Sequence, residues 1–414
     1  MNKPQTLGEL KKANYRSLSV KDEMRSNLLP KLASGEPLFP GIIGYDDTVV
    51  PQIANAILSR HNFILLGLRG QAKSRILRAL TILLDAEIPF LAGCEINDDP
   101  LKPICRACHE RLRELADQTP IDYLPRELRY VEKLATPDVT IADIIGDLDP
   151  IKAARGKIIT PLKDRIGSEI RTHYPATLEH AIAITAQEAW TDRDGSGLAI
   201  PRFVRELIES AAFEARQEKR VDKRSGVSQR LPITCLENVV SNAEQRALRN
   251  REDKAVPRPS DLYSAIPSLT GKFELEYEGE LKGAENVARD IIRQATAKIF
   301  RKYFDNVPLH SIVQWFEMGG SLKYSPNAPT QELYAQFKKI QGLLEKTQAL
   351  GIKAKDDPAL LVAGGEFILE GLYALRRISR SEELGYHAEP ARAGRAEPSS
   401  EEPSPTSSRR RGWN

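Results

Sequence analysis

The sequence predicts an α/β fold, in which a short parallel-sheet core carrying a glycine loop is followed by helical segments. Three observations predict it. Phe63–Leu66, FILL, is a short apolar run closed by Gly67, the pattern of a buried parallel strand. After the glycine-rich turn, Ile76, Leu77, Leu80, Leu83 and Leu84 recur at helical spacing, so the local order is strand, glycine loop, helix. Helical patterning then covers 176–250 and returns in the region 263–385.

Residues 1–38 are polar and weakly patterned, an arm or short helices leading to FPGIIGYDD at 39–47. Val49 to Arg60 reads as a helix with Val49, Ile53, Ala54 and Ile57 on one face. Residues 93–113 place three cysteines in a loop with Pro100 and Pro103, and a helix is expected at 105–116. TPDVTIADIIGDLDP at 136–150 reads as a loop or short strand followed by a turn. Pro201 suits a first helical position, ahead of a stripe of Phe203, Val204, Leu207, Ile208, Ala211 and Ala215. Ser228 is a candidate N-cap for a helix through Val239 to Leu248. The charged, proline-broken stretch 250–262 marks a boundary. Beyond it, Val287, Ile291, Ala295, Ile299 and Tyr303 mark one helix, and Leu333, Phe337, Ile340 and Leu344 another. Asp357-Pro358 opens a third, with Leu361, Phe367, Ile368, Leu372 and Leu375 following. Glu274, Glu276, Glu278 and Glu280 alternate with Leu275, Tyr277 and Gly279, which reads as an acidic edge strand facing a partner or as a solvated strand face. Residues 386–414, rich in Pro, Ser, Glu and Arg, are expected to be disordered.

At 414 residues the chain suits two or three units. Sixty Lys and Arg against 57 Asp and Glu give a net charge of +3, which argues against a polyanion-coating protein. The run Arg409-Arg410-Arg411 reads as a solvated tail rather than a nucleic-acid contact. No run approaches the ~18 apolar residues of a membrane helix, and MNKPQTLGELKK lacks an apolar signal core. Four cysteines in this length make no disulfide framework, which points to a reducing cytoplasm.

The strongest chemical signal is Gly67-Leu68-Arg69-Gly70-Gln71-Ala72-Lys73-Ser74. A phosphate loop needs inward backbone N–H groups, a lysine for the β/γ-phosphates and a hydroxyl for Mg²⁺. Lys73 and Ser74 fill the last two roles. Ala72 stands where the simple motif has glycine, and the competing reading is a tight strand-to-helix turn with an exposed lysine.

With FPGIIGYDD, a helix and a strand before it, this loop resembles the AAA+ ATPases, and within them the branch of the magnesium-chelatase ATPase subunit I and the MoxR-type ATPases. There Ala-Lys-Ser is a familiar ending of the loop. The resemblance covers roughly 39–250. It implies a truncated P-loop AAA+ core with a parallel sheet at 39–172, an α-helical lid at 173–250 and an α-helical C-terminal domain at 263–385. It places Ile43 and Gly44 beside the adenine and Gly67, Gly70, Gln71, Ala72, Lys73 and Ser74 around the phosphates and Mg²⁺. PLKDRIG at 161–167 resembles the L-x-D-R-F-G element of the chelatase subunit, so Arg165 is the candidate arginine finger with Asp164 as its interface partner; a surface Asp–Arg pair is the alternative. Gly226-Val227-Ser228-Gln229-Arg230 resembles the G-x-S-x-R start of a lid helix, which makes Arg230 the γ-phosphate sensor or, alternatively, an exposed arginine on a capped helix.

One block is missing. Hydrolysis needs a carboxylate pair after an apolar strand, and no four apolar residues are followed by Asp-Glu. Ile82-Leu83-Leu84-Asp85-Ala86-Glu87 comes nearest, on the helix after the loop. Gly146-Asp147-Leu148-Asp149 resembles the G-x-[LI]-D element that precedes that strand, yet Arg155-Gly156-Lys157 runs almost at once into the Arg165 element. The strands between them are absent from the sequence.

Cys94, Cys105 and Cys108 are spaced C-x10-C-x2-C, with His109 next. Such thiolates can hold a structural zinc, although adjacent Cys108 and His109 are awkward joint ligands, and unliganded thiols are the alternative. Cys235 belongs to the lid segment, and the six histidines form no H-E-x-x-H array.

The expected function is therefore an ATP- and Mg²⁺-binding subunit resembling magnesium-chelatase subunit I, with hydrolysis weak or absent. The resemblance implies a homo-oligomeric ring and a partner such as a chelatase subunit with a metal-binding domain. A MoxR-type chaperone and a non-catalytic nucleotide-binding interaction protein are the alternatives. The G-A-F-T-G-A loop of AAA+ transcriptional activators is absent.

Overall fold

The computed structural model describes residues 3–132, 166–193, 197–381 and 383–389. Arg165, Asp164, the 146–149 element and the run at 155–157 lie outside them, as do 390–414. The described chain is α/β and mainly helical, with four two-stranded sheets, two parallel and two antiparallel. In order come α1 (Leu7–Lys12), α2 (Val20–Ser34), α3 (Val49–Leu58), β1 (Phe63–Leu66), α4 (Lys73–Ala79), β2 (Glu87–Leu91), α5 (Arg106–Leu115), β3 (Ile121–Pro125), β4 (Ser168–Arg171), α6 (Leu178–Glu188), β5 (Gly197–Leu198), α7 (Arg202–Gln217) and α8 (Arg230–Asn250). They are followed by β6 (Lys254–Ala255), α9 (Pro259–Ser264), α10 (Ile266–Thr270), α11 (Tyr277–Lys282), α12 (Ala284–Phe304), α13 (His310–Glu317), α14 (Thr330–Phe337), α15 (Pro358–Ala374), β7 (Ile378–Ser381) and β8 (Gly385–Ala388). No helix among the described residues is long and apolar enough to cross a membrane.

Two compact units divide the chain, one of residues 1–193, 205–239 and 264–291, the other of 194–204, 240–263 and 292–414. In the first, β1 pairs in parallel with β4, Phe63 opposite Ser168 and Leu66 opposite Arg171. Beneath it α3 buries Val49, Ile53, Ala54 and Ile57, the face its spacing predicts, against Leu28, Ile76, Leu83 and Ile170. Burial of β1 itself is a correction. Ile64 is 37 % exposed, because the only strand beside β1 among the described residues is β4, and one neighbour does not enclose both faces. A separate antiparallel hairpin, β2 with β3, carries α5 between its strands.

The acidic alternation at 274–280 is a second correction. Residues 277–282 form helix α11, with Glu278 and Glu280 in its first turn, where carboxylates favour the helix dipole. Only Leu275 keeps a strand-like bridge, to Val221.

The second unit packs Phe203, Phe300, Phe304 and Phe367 together, with ring centroids 4.8 Å apart for Phe203–Phe367 and 4.7 Å for Phe300–Phe304. Asp357 caps α15 as its sequence predicts, accepting the Ala359 N–H at 2.9 Å. Residues 386–389, expected to belong to a disordered tail, are part of the fold. β8 pairs with β7, and Tyr386 is buried against Tyr324 with its hydroxyl donating to Glu370. The charged stretch at 250–262 is also no bare connection. Arg246 pairs with Asp261 in the interior, Asp261 accepts the Arg258 N–H at 2.7 Å, and Arg258 reaches Thr330 at 2.8 Å.

Arg246→Ala is expected to lower stability by about 3–5 kcal/mol, because it leaves the Asp261 carboxylate buried without its counter-charge. Urea unfolding measures this; a loss under ~1 kcal/mol would mean that the neutral donors to Asp261 suffice.

Candidate functional site

The glycine loop spans from the end of β1 to the start of α4, and its shape follows from two glycines and an alanine. Gly70 has φ +73° and lies so close to Ser228 that a Cβ would meet its Oγ at 2.0 Å. A Cβ on Gly67 would stand 2.1 Å from Thr172 Oγ1. Ala72, where the simple motif has glycine, adopts the left-handed region at φ 54°. That conformation costs a non-glycine residue about 1–2 kcal/mol.

Neighbouring segments hold this loop in place. Thr172 donates its N–H to Leu66 at 2.8 Å and its hydroxyl to the Gln71 side chain at 2.7 Å. The Tyr45 hydroxyl donates to the His173 carbonyl at 2.7 Å and lies 3.1 Å from that of Gln71. Burial pushes the Tyr45 phenol up to about 12, so it stays a donor at neutral pH. The Tyr174 hydroxyl donates to the Arg69 carbonyl at 3.2 Å.

Lys73 opens α4 and folds back on the loop. Its ammonium donates to the Gly67 carbonyl at 2.8 Å and to that of Leu68, and burial lowers its pKa. Ser74 follows, exposed. Lys73 and Ser74 line a cavity of about 670 Å³ together with Ile43, Gly70, Gln71, Ala72 and Arg230. Gly44 and Gly67 adjoin these residues without lining it. Arg69, Arg75 and Arg78 also line the cavity, and each pairs with a carboxylate: Glu274, Glu188 and Glu132. Among the described residues Lys73 and Arg230 have no such partner, and Glu188 is the one carboxylate of the lining. The Arg75 hydrogen bond holds Glu188 below the usual carboxylate range. The cavity thus presents more cation than anion.

The structure brings together all the loop residues singled out in the sequence, with Ile43 and Arg230. It does not describe Arg165. Sequence reading missed Tyr45, Thr172, His173 and Tyr174, whose hydroxyl contacts Tyr45–His173, Thr172–Gln71 and Tyr174–Arg69 each join residues more than 100 apart. It also missed a buried relay behind Arg230. The Arg216 guanidinium lies over the Tyr174 ring at 4.2 Å and donates to Gln229 Oε1 at 2.8 Å. Gln229 donates to Glu209 at 3.3 Å, and Thr185 donates to the other Glu209 oxygen. Burial raises Glu209 to about 7.

At the second candidate site, Cys94, Asp98, Cys105 and Cys108 bring their ligand atoms within 4.8 Å of one another, a group able to hold a metal ion. His109 is exposed and outside it. Burial, with the Cys94 and Cys105 thiols, pushes Cys108 up to about 12. Cys235 is buried elsewhere.

No family model matches the chain, and no curated protein or solved structure matches it.

Glu209 has a folded pKa above its unfolded value of about 4.3, so folding favours its protonated form. Its contribution to stability falls as pH rises from about 4.3 through about 7 and is level above. Glu209→Gln is expected to remove this slope and to make the protein more stable than wild type at pH 8 by about 1–3 kcal/mol. Urea unfolding at pH 5 and pH 8 tests it; the same pH slope in both proteins would show that Glu209 does not titrate there.

Proposed function

We propose that the chain is an ATP-binding subunit of the AAA+ type, resembling the magnesium-chelatase subunit I and MoxR branch, which couples nucleotide to a partner protein. What supports this reading above all is the pairing of Lys73 and Arg230 on opposite elements of one cavity, both without carboxylate partners among the described residues. A triphosphate is the ligand such a cavity suits, with backbone and lysine for the phosphates and Ile43 for an apolar base. The cofactors of this reading are ATP, Mg²⁺ held through the Ser74 hydroxyl, and a structural zinc at the cysteine cluster. Lys73 would displace its loop carbonyls for phosphate oxygens, and Arg230 would sense the terminal phosphate.

Hydrolysis is the weak step of the proposal. The one lining carboxylate, Glu188, is engaged with Arg75, and the second of the required pair is missing from the sequence. Arg165 from a neighbouring copy would complete the site in a ring. The partner in such a ring would be a chelatase-type subunit with a metal-binding domain or a protein remodelled in the MoxR manner, in a cytoplasmic setting.

Lys73→Ala is expected to weaken ATP binding at least about tenfold, ~1.4 kcal/mol, read by calorimetry or a fluorescent ATP analogue. Absence of binding by the unmodified chain would sink the proposal. Phosphate release by the unmodified chain with ATP and Mg²⁺ should not rise above a protein-free blank; a steady rate abolished by Lys73→Ala would show that hydrolysis is intact.

A further inference from the structure

The loop after β2 and the start of α5 bring four soft and hard donors to one point. Cys105 immediately precedes α5 and Cys108 lies in its first turn, which sets both sulfurs on the same side of the helix start. Cys94 comes in from the end of β2. Asp98 is 5 % exposed and accepts the N–H groups of Ile104 and Cys105, each at 2.8 Å. Those bonds fix the loop that presents Cys105 and leave the carboxylate with lone pairs to spare. No lysine or arginine among the described residues forms an ion pair with Asp98; the nearby Arg111 donates instead to the Ala92 carbonyl. A buried carboxylate in that position calls for a cation.

We propose that Cys94, Asp98, Cys105 and Cys108 bind one zinc ion in a closed four-ligand site, and that this ion fastens residues 3–15 to the β2–β3 hairpin. Zinc at about 2.3 Å from sulfur and about 2.0–2.2 Å from oxygen sets tetrahedral ligand atoms roughly 3.4–3.8 Å apart. The observed spread of at most 4.8 Å closes to that by small side-chain rotations. Three thiolates select zinc over magnesium or calcium, which take oxygen ligands. Binding releases the thiol protons to solvent, and four protein ligands leave no open position for catalysis.

The role follows from how small the apolar part of this contact is. Its core has four buried residues, Leu10, Leu91, Cys108 and Ile121, and two of the side chains packed on them are Cys94 and Cys105. The N-terminal residues join it through Leu10, through backbone bonds, Leu7 N–H to Thr119 at 2.9 Å and Ile121 N–H to Gln5 at 3.0 Å, and through the surface ion pairs Lys3–Glu87 and Lys11–Asp117. The Tyr123 hydroxyl donates to Pro4 at 2.9 Å. So small an apolar cluster is of the kind that proteins staple with a metal.

The test uses the full chain purified under reducing conditions without chelator. One zinc per chain is expected by elemental analysis. Cobalt(II) replacement is expected to give an intense thiolate charge-transfer band and tetrahedral d–d bands, both lost in Cys105→Ser and Cys108→Ser. Asp98→Asn keeps an oxygen for the two N–H groups and is expected to weaken zinc at least about tenfold. Stripping zinc is expected to speed amide hydrogen exchange at 3–15 and 121–125 and to leave 63–79 unchanged. The proposal is overturned by a chain without zinc and without a tetrahedral cobalt spectrum. It is equally overturned by zinc that survives Cys105→Ser, by an unaltered affinity in Asp98→Asn, or by exchange at 3–15 indifferent to the metal. ATP titration of the same sample reads the nucleotide site separately, so either site can fail alone.

Discussion

The candidate nucleotide site depends on the register of one strand pair. Leu66 stands opposite Arg171, so the residue after β4, Thr172, meets the residue after β1, Gly67. The next three positions then lie under the loop: Thr172 on Leu66 and Gln71, His173 on Tyr45, Tyr174 on Arg69. A slip by one residue would turn every side chain of the strand to the opposite face. Thr172 would lose Gln71, and Tyr174 would lose the Arg69 carbonyl. The glycines are the other half of the same constraint. Gly67 and Gly70 are where hydroxyls approach the loop most closely, and any side chain there would occupy the space of Thr172 or Ser228.

Both units also bury charge, and they do it by completing its partners rather than by keeping it at the surface. Glu23 takes Arg129 through both carboxylate oxygens and the Asp85 N–H through one of them. Asp261 takes Arg246, the Arg258 N–H and the Asn242 amide. Among the described residues Glu209 has no directly paired cation, only a hydroxyl and an amide, and burial raises its pKa. The difference is physical. A carboxylate with a guanidinium against it retains its charge when desolvated, whereas one with neutral donors moves toward protonation.

This explains what could be read in the sequence and what could not. Local rules carried well. The apolar spacing of α3, the Asp357 cap and the glycine-bounded β1 each depend on neighbours within a few residues. Charge and prolines marked 250–262 as a boundary but gave no sign that Arg258 is buried with Asp261 and reaches as far as Thr330. Alternation failed at 274–280 because period two is compatible with a strand, but among the described residues no strand lies alongside to pair with it beyond the single Val221 bridge. At the cysteine cluster the spacing marked three candidate ligands and made His109 an awkward fourth. Asp98 was hidden because a carboxylate in a loop carries no spacing signal, and its place is set by hydrogen bonds to Ile104 and Cys105.

The resting geometry of Lys73 bears on how tightly any phosphate could be held. Its ammonium already has two acceptors, the carbonyls of Gly67 and Leu68. Hydrogen bonds to a charged group contribute about 1.5–3 kcal/mol each. In the proposed complex the lysine exchanges these bonds for bonds to phosphate, so its net contribution is a difference between two similar terms rather than the whole of one. The strain at Ala72 pulls in the same direction, since the left-handed turn must be maintained without the freedom of glycine. Arg69, Arg75 and Arg78 line the cavity with their charge already offset by Glu274, Glu188 and Glu132. Arg230 is the cation of the lining that gives up no bond seen among the described residues. On this reasoning, the proposed complex would hold phosphate weakly, with Arg230 the lining cation that gives up least on binding.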